Sequence, residues 1–315
     1  MSQELDTAIA VIGIDIGKNS FHVVGHDKRG AIVLRQKWSR GQVETRLANL
    51  SPCLIGMEAC VGAHHLSRKL QQLGHDTRLM PAKYVRPYSK GQKNDFRDAE
   101  AIAEAVQRPT MRFVATKTVE QLDLQALHRV RERLVSQRTG IINQIRAFLL
   151  ERGIAVRQGL RFLRAGLPDI LATRGDVLSP RMLRVVEDLA EDWRRLDVRI
   201  EGLSSEIVAL ARQDQACVRL MTVPGIGPLI SSAMVAAIGA GEVFSKGRDF
   251  DRPGDAGELI GECNRQRIVV QPLLGCLDPG FEPVALPALR LDQHHPCRLH
   301  EQNPQIAITP LRYLA

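Results

Sequence analysis

Four acidic residues in the first third of the chain stand where they could form one site. Asp15 and Glu58 each end a short apolar run of strand type. Asp95 and Asp98 lie three residues apart at the start of a helix-like segment, so both project to one side. The ends of neighbouring strands and a helix N-terminus can converge on one pocket. Carboxylates gathered without basic partners are costly unless a cation neutralises them, and such oxygen ligands suit Mg²⁺ or Mn²⁺.

Two such ions in an acidic pocket would support a particular chemistry. They can activate a nucleophile and stabilise a leaving oxygen during displacement at a phosphodiester. Each acid also has a purely structural alternative. Asp15 could close a turn with Gly17, Asp95 could only cap a helix, and Glu58 could be a solvated strand end. For any single acid the structural alternative is favoured, but the four together in this order predict a metal site.

The segments around these acids alternate between strand and helix patterns. Residues 9–16, 21–25 and 31–38 are apolar runs separated by turn residues, which predicts a three-strand antiparallel meander. The segments that follow are predicted helices at 42–50, 64–73 and 94–105 and predicted strands at 53–57 and 77–80. This order predicts an α/β fold with one sheet covered by helices, and Asn94 or Asp95 caps the third helix.

The middle of the chain changes to a helical period. Positions on one face step by three and four from Leu127 to Phe148 and are apolar except at Gln137. A second series then runs unbroken over four heptads. Its members are Met182, Val186, Leu189, Trp193, Leu196, Ile200, Leu203, Ile207 and Leu210. Two long helices joined by a loop at 153–180 predict an antiparallel coiled-coil arm or a dimer seam. A role in oligomerisation or in clamping nucleic acid and an ordinary helical hairpin are both open.

A glycine-containing turn, VPGIGP, follows at 223–228. It resembles a helix-hairpin-helix turn, in which glycines such as Gly225 and Gly227 let backbone N–H groups approach a phosphate at a helix N-terminus. A tight turn between packed helices is an equal alternative. Ser231 and Ser232 lie in the small-residue helix that follows, and we interpret them as packing residues.

The chain is basic, with 43 Lys and Arg residues against 35 acidic ones and a formal net charge of +8. A basic surface favours polyanionic partners, because each contact between a cation and a phosphate releases a counterion. Candidate nucleic-acid contacts on the first long helix are Arg129, Arg131, Arg133 and Arg138, and those in the loop are Arg157, Arg161 and Arg164. A solvated face is the alternative, and contacts there would position the chain on phosphates without reading sequence.

Several classes of protein do not fit the sequence. The chain opens without a secretory signal pattern, and no stretch reaches about 18 apolar residues, so neither a leader nor a membrane span is expected. No C-x-x-C pair occurs, which argues against a zinc knuckle. Free thiols in a reducing cytoplasm are expected for the six cysteines, which are Cys53, Cys60, Cys217, Cys263, Cys276 and Cys297.

The composition changes from Asp251 onward. Eight of the 16 prolines and three of the six cysteines lie in 251–315, whereas no lysine follows Lys246 and no serine follows Ser245. No helical or strand period holds for long in this segment. It is predicted to be an irregular tail, and an out-of-frame extension would explain its composition.

Three ordered segments resemble one family of proteins. The run GIDIGK at 13–18, Glu58 in its strand and NDFRDAEA at 94–101 are similar to the RuvC-like DEDD transposases of the IS110 group of bacterial insertion sequences. Residues 125–146 resemble the opening of that family's helical linker, and residues 224–228 resemble the start of its C-terminal transposase domain. The resemblance extends to about residue 250.

The resemblance implies an arrangement of domains. An RNase-H-like (RuvC-like) α/β domain is expected at 8–112, a helical coiled-coil linker at 113–215, and a truncated, mostly α C-terminal domain at 216–250, before the tail at 251–315. It also implies DNA transposition by recombination. Several members of the family are guided by a structured RNA from the noncoding end of the element, and they assemble as homo-oligomers, here expected through the coiled coil.

The resemblance assigns roles to the acids and shows that one residue expected of the family, a serine, is missing. It implies that Asp15, Glu58, Asp95 and Asp98 are catalytic and hold Mg²⁺ (or Mn²⁺) beside a serine of the C-terminal domain. That serine follows a Trp-Leu-Gly-Leu type of stretch, which has no counterpart here, and no serine follows Ser245. The prediction is a transposase that lacks its serine. A metal-dependent junction-resolving nuclease and a non-catalytic nucleic-acid-binding remnant are the alternatives, although a resolvase does not need the long linker.

Overall fold

A computed structural model describes residues 9–89 and 94–239 of the chain. These residues form a five-stranded mixed sheet with accompanying helices, followed by a group of mostly longer helices. The predicted α/β class is therefore confirmed for this part of the chain. The predicted tail at 251–315 and residues 240–250 of the predicted C-terminal domain lie outside the described residues.

The sheet has the strand order β3-β2-β1-β4-β5. Its strands are β1 (Val11–Ile16), β2 (Ser20–His26), β3 (Ile32–Ser39), β4 (Leu54–Glu58) and β5 (Asp76–Met80). The first three strands are antiparallel neighbours, which confirms the predicted meander, whereas β4 runs parallel to β1 and to β5. A short turn is enough to join antiparallel strands, but the return to β4 alongside β1 requires a longer connection.

Within residues 9–89 and 94–105, four helices accompany this sheet, together with a 3₁₀ turn at Arg86–Tyr88. They are α1 (Arg40–Ala48), α2 (Ala63–Gln72), α3 (Ala82–Val85) and α4 (Asp95–Ala105). The three predicted helices of this region are confirmed as α1, α2 and α4, with ends that differ by one or two residues. Helix α3 was not predicted.

Alternation along β1 separates the two faces of the sheet. Ile12 and Ile14 pack into a core with α1 and α2, whereas Val11 packs into a second core with α4. Because successive side chains of a strand point to opposite faces, Asp15 lies on the same face as Val11, toward α4. The same alternation in β4 puts Glu58 on the face opposite to Met57, which belongs to the first core.

Two glycines allow α4 to lie directly on the central strands. Gly13 of β1 and Gly56 of β4 are cross-strand partners. A Cβ atom on Gly13 would overlap the backbone of Ala99 and Ala103, and one on Gly56 would lie 2.8 Å from Cβ of Val106. Any side chain at these positions would therefore push α4 away from the sheet, together with the acids on its first turn.

The second half of the described chain is helical. Its helices are α5 (Val119–Leu150), α6 (Leu160–Thr173), α7 (Pro180–Gln213), α8 (Gln215–Met221) and α9 (Pro228–Ile238). Arg131 of α5 contacts Ser204 of α7, and Arg138 contacts Asp197. The residue numbers of the contacts decrease along α7 as they increase along α5, so the two long helices are antiparallel. None of the helices in the described ranges is long and apolar enough to cross a membrane.

Helix α6 corrects one prediction. The segment 153–180 was expected to be a loop, but residues 160–173 within it are helical. Leu163 and Leu167 of α6 are buried in a core that includes residues of α5 and α7. Pro168 lies inside the helix, where its missing N–H group is unfavourable, but the burial of the apolar face outweighs this local effect.

The predicted heptad series on α7 is buried unevenly. Val186, Trp193, Ile200 and Ile207 are buried at intervals of seven residues. The alternate leucines of the series are only partly buried, and Leu210 is 41% exposed. The four buried residues of the series therefore pack within this chain. A coiled coil with a second chain stays a prediction.

Candidate functional site

Asp15 and Glu58 lie at the same edge of the sheet. The paired residues of β1 and β4 end with Ile14 opposite Met57, and each acid follows directly in its strand. Since these strands are parallel neighbours, their carboxyl ends meet, and both acids are partly buried. The predicted placement of the two acids at adjoining strand ends is therefore what the structure has.

The first turn of α4 contributes the other two acids. Asn94 is the N-cap, and its Oδ1 accepts a hydrogen bond of 2.9 Å from the backbone N–H of Phe96. Of the two residues predicted as possible caps, Asn94 is therefore the N-cap, and Asp95 is the first residue of the helix. Ser89 donates a hydrogen bond of 3.1 Å to Oδ1 of Asp98. Carboxylates in the first turn of a helix are also favoured by the helix dipole.

His22 joins the acids, although the sequence analysis did not include it. Its Nδ1 lies 3.9 Å from Oδ2 of Asp15 and 3.5 Å from Oδ2 of Asp95. Ligand atoms of these three residues lie within 4.8 Å of one another. The available signal was the short turn between β1 and β2, which makes Asp15 and His22 cross-strand partners.

The electrostatics of Glu58 connect it to the same group. Burial is the main cause that raises the pKa of Glu58 above its ordinary value of 4.5. The negative charges of Asp15 and Asp98 raise this pKa further, while Arg86 lowers it. A carboxylate whose charged form is disfavoured by burial and by other carboxylates is stabilised by a cation.

The residues at this edge fit a divalent cation. Carboxylate oxygens come from two strand ends and one helix start, and they are hard ligands of the kind that Mg²⁺ and Mn²⁺ take. The Nδ1 atom of His22 is buried beside them and has no hydrogen-bond partner among the described residues. A buried nitrogen without a hydrogen-bond partner, placed beside carboxylates, fits a ligand for such a cation.

The four arginines predicted on the first long helix divide into two pairs. Arg129 and Arg133 are exposed on α5. Arg131 donates a hydrogen bond of 2.8 Å to Oγ of Ser204, and Arg138 forms an ion pair of 3.0 Å with Asp197. The second pair therefore holds α5 against α7.

The three arginines assigned to the loop are also engaged within the chain. Arg161 and Arg164 lie in α6 rather than in a loop, which corrects their predicted setting. The guanidinium groups of Arg157 and Arg161 each lie 4.5 Å from the ring centroid of Phe162. Arg164 forms an ion pair with Asp197, so this carboxylate binds arginines of both α5 and α6.

The glycine turn joins α8 to α9 and leaves its backbone open. Gly225 has a φ of +91°, a conformation that favours glycine, and Gly227 is the N-cap of α9. A Cβ atom added at either glycine would meet nothing within 4 Å. Ser231 and Ser232 are fully buried, and each donates a hydrogen bond to the carbonyl oxygen of Pro228, so they pack as predicted.

Comparison with known proteins identifies the class. The model of a transposase family of the DEDD, IS110 type matches residues 12–153. The chain is 41% identical over 244 residues to the transposase for insertion sequence element IS1328 of Yersinia enterocolitica, an overlap of 77% of this chain and 72% of that protein. It is 42% identical over 240 residues to a probable family 20 transposase of Pseudomonas aeruginosa, with 76% and 71% covered.

A third relative extends the comparison. The transposase for insertion sequence element IS1111A of Coxiella burnetii is 36% identical over 276 residues, which cover 84% of this chain and 76% of the relative. The chain therefore belongs to the IS110 type of DEDD transposases of bacterial insertion sequences. The predicted family is confirmed.

Proposed function

We propose that the chain binds DNA and catalyses DNA transposition through a divalent-cation site formed by Asp15, Glu58, Asp95 and Asp98. The convergence of carboxylates from two strand ends and one helix start carries this proposal. Family membership supports the class of reaction, and the acids supply its chemistry. Mg²⁺ or Mn²⁺, when bound there, would activate the attacking oxygen and neutralise charge on the leaving oxygen.

The chain's own residues would hold and orient this site. Asp15 and Asp95 present oxygens close enough to share one cation, and Glu58 adds a carboxylate whose charge is poorly stabilised without one. Ser89 orients Asp98 by its hydrogen bond of 3.1 Å. Because β1 and β4 approach α4 and Val106 closely at Gly13 and Gly56, the positions of these acids depend on the core beneath them.

DNA would be held mainly through phosphates. Arg129 and Arg133 lie exposed on α5, the open backbone at Gly225 and Gly227 stands at the start of α9, and the net charge of +8 favours a polyanion. A guide RNA from the noncoding end of the element would use the same kind of contact. We therefore propose both as partners.

Assembly and domain division complete the proposal. We propose an RNase-H-like domain at 8–112, a coiled-coil linker at 113–215 and a C-terminal domain beginning at 216. Homo-oligomerisation would use the partly exposed leucines of α7, which lie at intervals of seven residues and are Leu189, Leu196, Leu203 and Leu210. Such a stripe, buried on one side only, is suited to a second helix.

The absence of a late serine favours a second candidate function. No serine follows Ser245, so the covalent step that the family resemblance implies has no nucleophile in its expected place. Metal-dependent strand cleavage with water as the nucleophile would need only the acids. A coding DNA that restores a Trp-Leu-Gly and Ser-Gly sequence after a one-base shift would support an out-of-frame tail at 251–315. Intact relatives that share this tail would contradict it.

One experiment separates these outcomes. Mg²⁺-dependent cleavage and strand exchange are measured on the end sequences of the parent element, with and without its noncoding RNA, for the wild type, Asp15→Asn and Asp123→Asn. Asp123 is an exposed acid of α5 far along the chain from the site and serves as the matched control. We expect cleavage by the wild type and by Asp123→Asn but not by Asp15→Asn. Strand exchange by the wild type would show that the missing serine is not required, and equal cleavage by all three would refute the acidic site.

A further inference from the structure

The side chain of His22 is placed in an unusual way beside the acids. It is 9% exposed, and its Nδ1 is buried with no hydrogen-bond partner among the described residues. This atom points between the carboxylates of Asp95, at 3.5 Å, and Asp15, at 3.9 Å. A buried polar atom that makes no hydrogen bond is costly, so a role for it is expected.

The ring of His22 is held in this orientation by its surroundings. The strand β2 fixes its backbone opposite Asp15, and the ring of Phe96 contacts it edge to face, with centroids 4.7 Å apart and an interplanar angle of 76°. Phe96 lies between Asp95 and Arg97 in the first turn of α4. The imidazole and the Asp95 carboxylate are therefore positioned by the same piece of structure.

The separations match the ligands of one ion. Ligands at about 2.1 Å from an octahedral cation lie about 3.0 Å apart when adjacent and about 4.2 Å apart when opposite. The distances from Nδ1 to the two carboxylates, 3.5 Å and 3.9 Å, lie between these two values, so small rotations of the side chains would bring the three atoms to one ion. Histidine also binds metals commonly through either ring nitrogen.

We propose that Nδ1 of His22 is a ligand of the cation held by Asp15 and Asp95, and that this nitrogen makes the site select Mn²⁺ over Mg²⁺. Imidazole suits first-row transition metals, whereas Mg²⁺ takes carboxylates, phosphates and water. The inference rests on the proposed acidic metal site and adds a nitrogen ligand and a metal preference to it.

The same strand offers a matched control. His26 also lies on β2, four residues from His22 and thus on the same face, and it is 8% exposed. Its Nε2 is likewise buried without a hydrogen-bond partner among the described residues, but its cross-strand partner is Val11 rather than an acid. Replacing either histidine removes a similar buried ring, and only one replacement removes the proposed ligand.

The test measures metal binding by the full chain instead of its activity. Mn²⁺ and Mg²⁺ affinities are determined by calorimetry for the wild type, His22→Gln, His26→Gln and Asp15→Asn. Pulsed electron paramagnetic resonance of bound Mn²⁺ then reports directly bonded nitrogen, with and without ¹⁵N-labelled histidine. We expect a nitrogen coupling in the wild type and in His26→Gln, its loss in His22→Gln, and at least about tenfold weaker Mn²⁺ binding by His22→Gln with little change for Mg²⁺.

The outcomes separate this inference from the proposed function. Mn²⁺ bound by the wild type through Asp15 but without nitrogen coupling would overturn the role of His22 and leave the acidic site intact. Coupling that persists in His22→Gln would overturn it equally. Mn²⁺ binding that survives unchanged in Asp15→Asn, or no binding by the wild type, would refute the acidic site itself. A wild-type spectrum without nitrogen coupling overturns the role of His22 even if His22→Gln does not fold.

Discussion

Glu58 is an acid of the site whose charged form is disfavoured in the folded chain. Its pKa is higher in the folded than in the unfolded chain, first because of burial and then because of Asp15 and Asp98. Ionisation of Glu58 therefore lowers the free energy of unfolding as the pH rises above its ordinary value of 4.5. We expect Glu58→Gln to raise the Tm of the metal-free protein at about pH 8. Most of this advantage should be lost at about pH 4, where Glu58 of the wild type is mostly protonated in both the folded and the unfolded state.

Thermal unfolding in the presence of a chelator measures this effect. Glu206→Gln, which alters an exposed acid of α7, should leave the Tm unchanged at both pH values. Added Mn²⁺ should stabilise the wild type but not Glu58→Gln, and strand cleavage by Glu58→Gln should fall by more than about 100-fold, beyond the loss typical for a residue that only supports a ligand. A lower Tm of metal-free Glu58→Gln at high pH would contradict the argument.

At the scale of elements, the contact of α4 with β1 sets the geometry of the site. Gly13→Ala places a Cβ atom against the backbone of Ala99 and Ala103, which cannot give way as a flexible side chain would. We expect a loss of about 1–3 kcal/mol in the free energy of unfolding and weaker Mn²⁺ binding, because α4 carries Asp95 and Asp98. Urea denaturation and calorimetry measure the two effects.

A glycine in an open position provides the control for this change. A Cβ atom on Gly140, within α5, would meet nothing within 4 Å. Gly140→Ala should therefore raise the free energy of unfolding by about 0.5–1 kcal/mol through its helix propensity and leave metal binding unchanged. If Gly13→Ala behaved like Gly140→Ala, the close packing of α4 would not be needed to place the acids.

The packing of three helices depends on Asp197 of α7. Its carboxylate accepts from Arg138 of α5 and from Arg164 of α6, and it is 25% exposed. We expect Asp197→Asn to lower the free energy of unfolding by about 1–2 kcal/mol, after allowance for solvent screening. Asp192→Asn, which weakens an exposed pair at 3.9 Å on the same helix, should change it by less than about 0.5 kcal/mol. Chemical denaturation of the two variants compares them, and equal losses would contradict this role.

At the scale of the whole molecule, the net charge of +8 predicts DNA binding that weakens with salt. Arg133 is exposed on α5, whereas Arg138 forms an ion pair with Asp197. Arg133→Gln should reduce the slope of log affinity against log salt by about 1 without changing the Tm. Arg138→Gln should lower the Tm instead. Fluorescence anisotropy across a salt series provides the slopes, and an unchanged slope for Arg133→Gln would remove this residue from the DNA surface.

Local patterns were enough to place the acids on their elements. Asp15 and Glu58 follow apolar runs because a strand covered on both faces is apolar until it reaches its end. Asn94 was recognisable as a cap because its side chain can satisfy a free N–H group at the start of a helix. The five strands, three of the helices beside them, the positions of the four carboxylates on these elements and the family could therefore be predicted from the sequence itself.

Only the tertiary structure decided which side chains meet. His22 lies on a strand that is buried along most of its length, so its pattern does not show which face turns toward Asp15, and the pairing register had to be known. Arg138 faces α7 rather than solvent for a similar reason. Helix α6 forms despite Pro168 because its apolar face packs against α5 and α7. The free energy behind each of these outcomes comes from contacts between separate strands and helices, which no local pattern of residues carries.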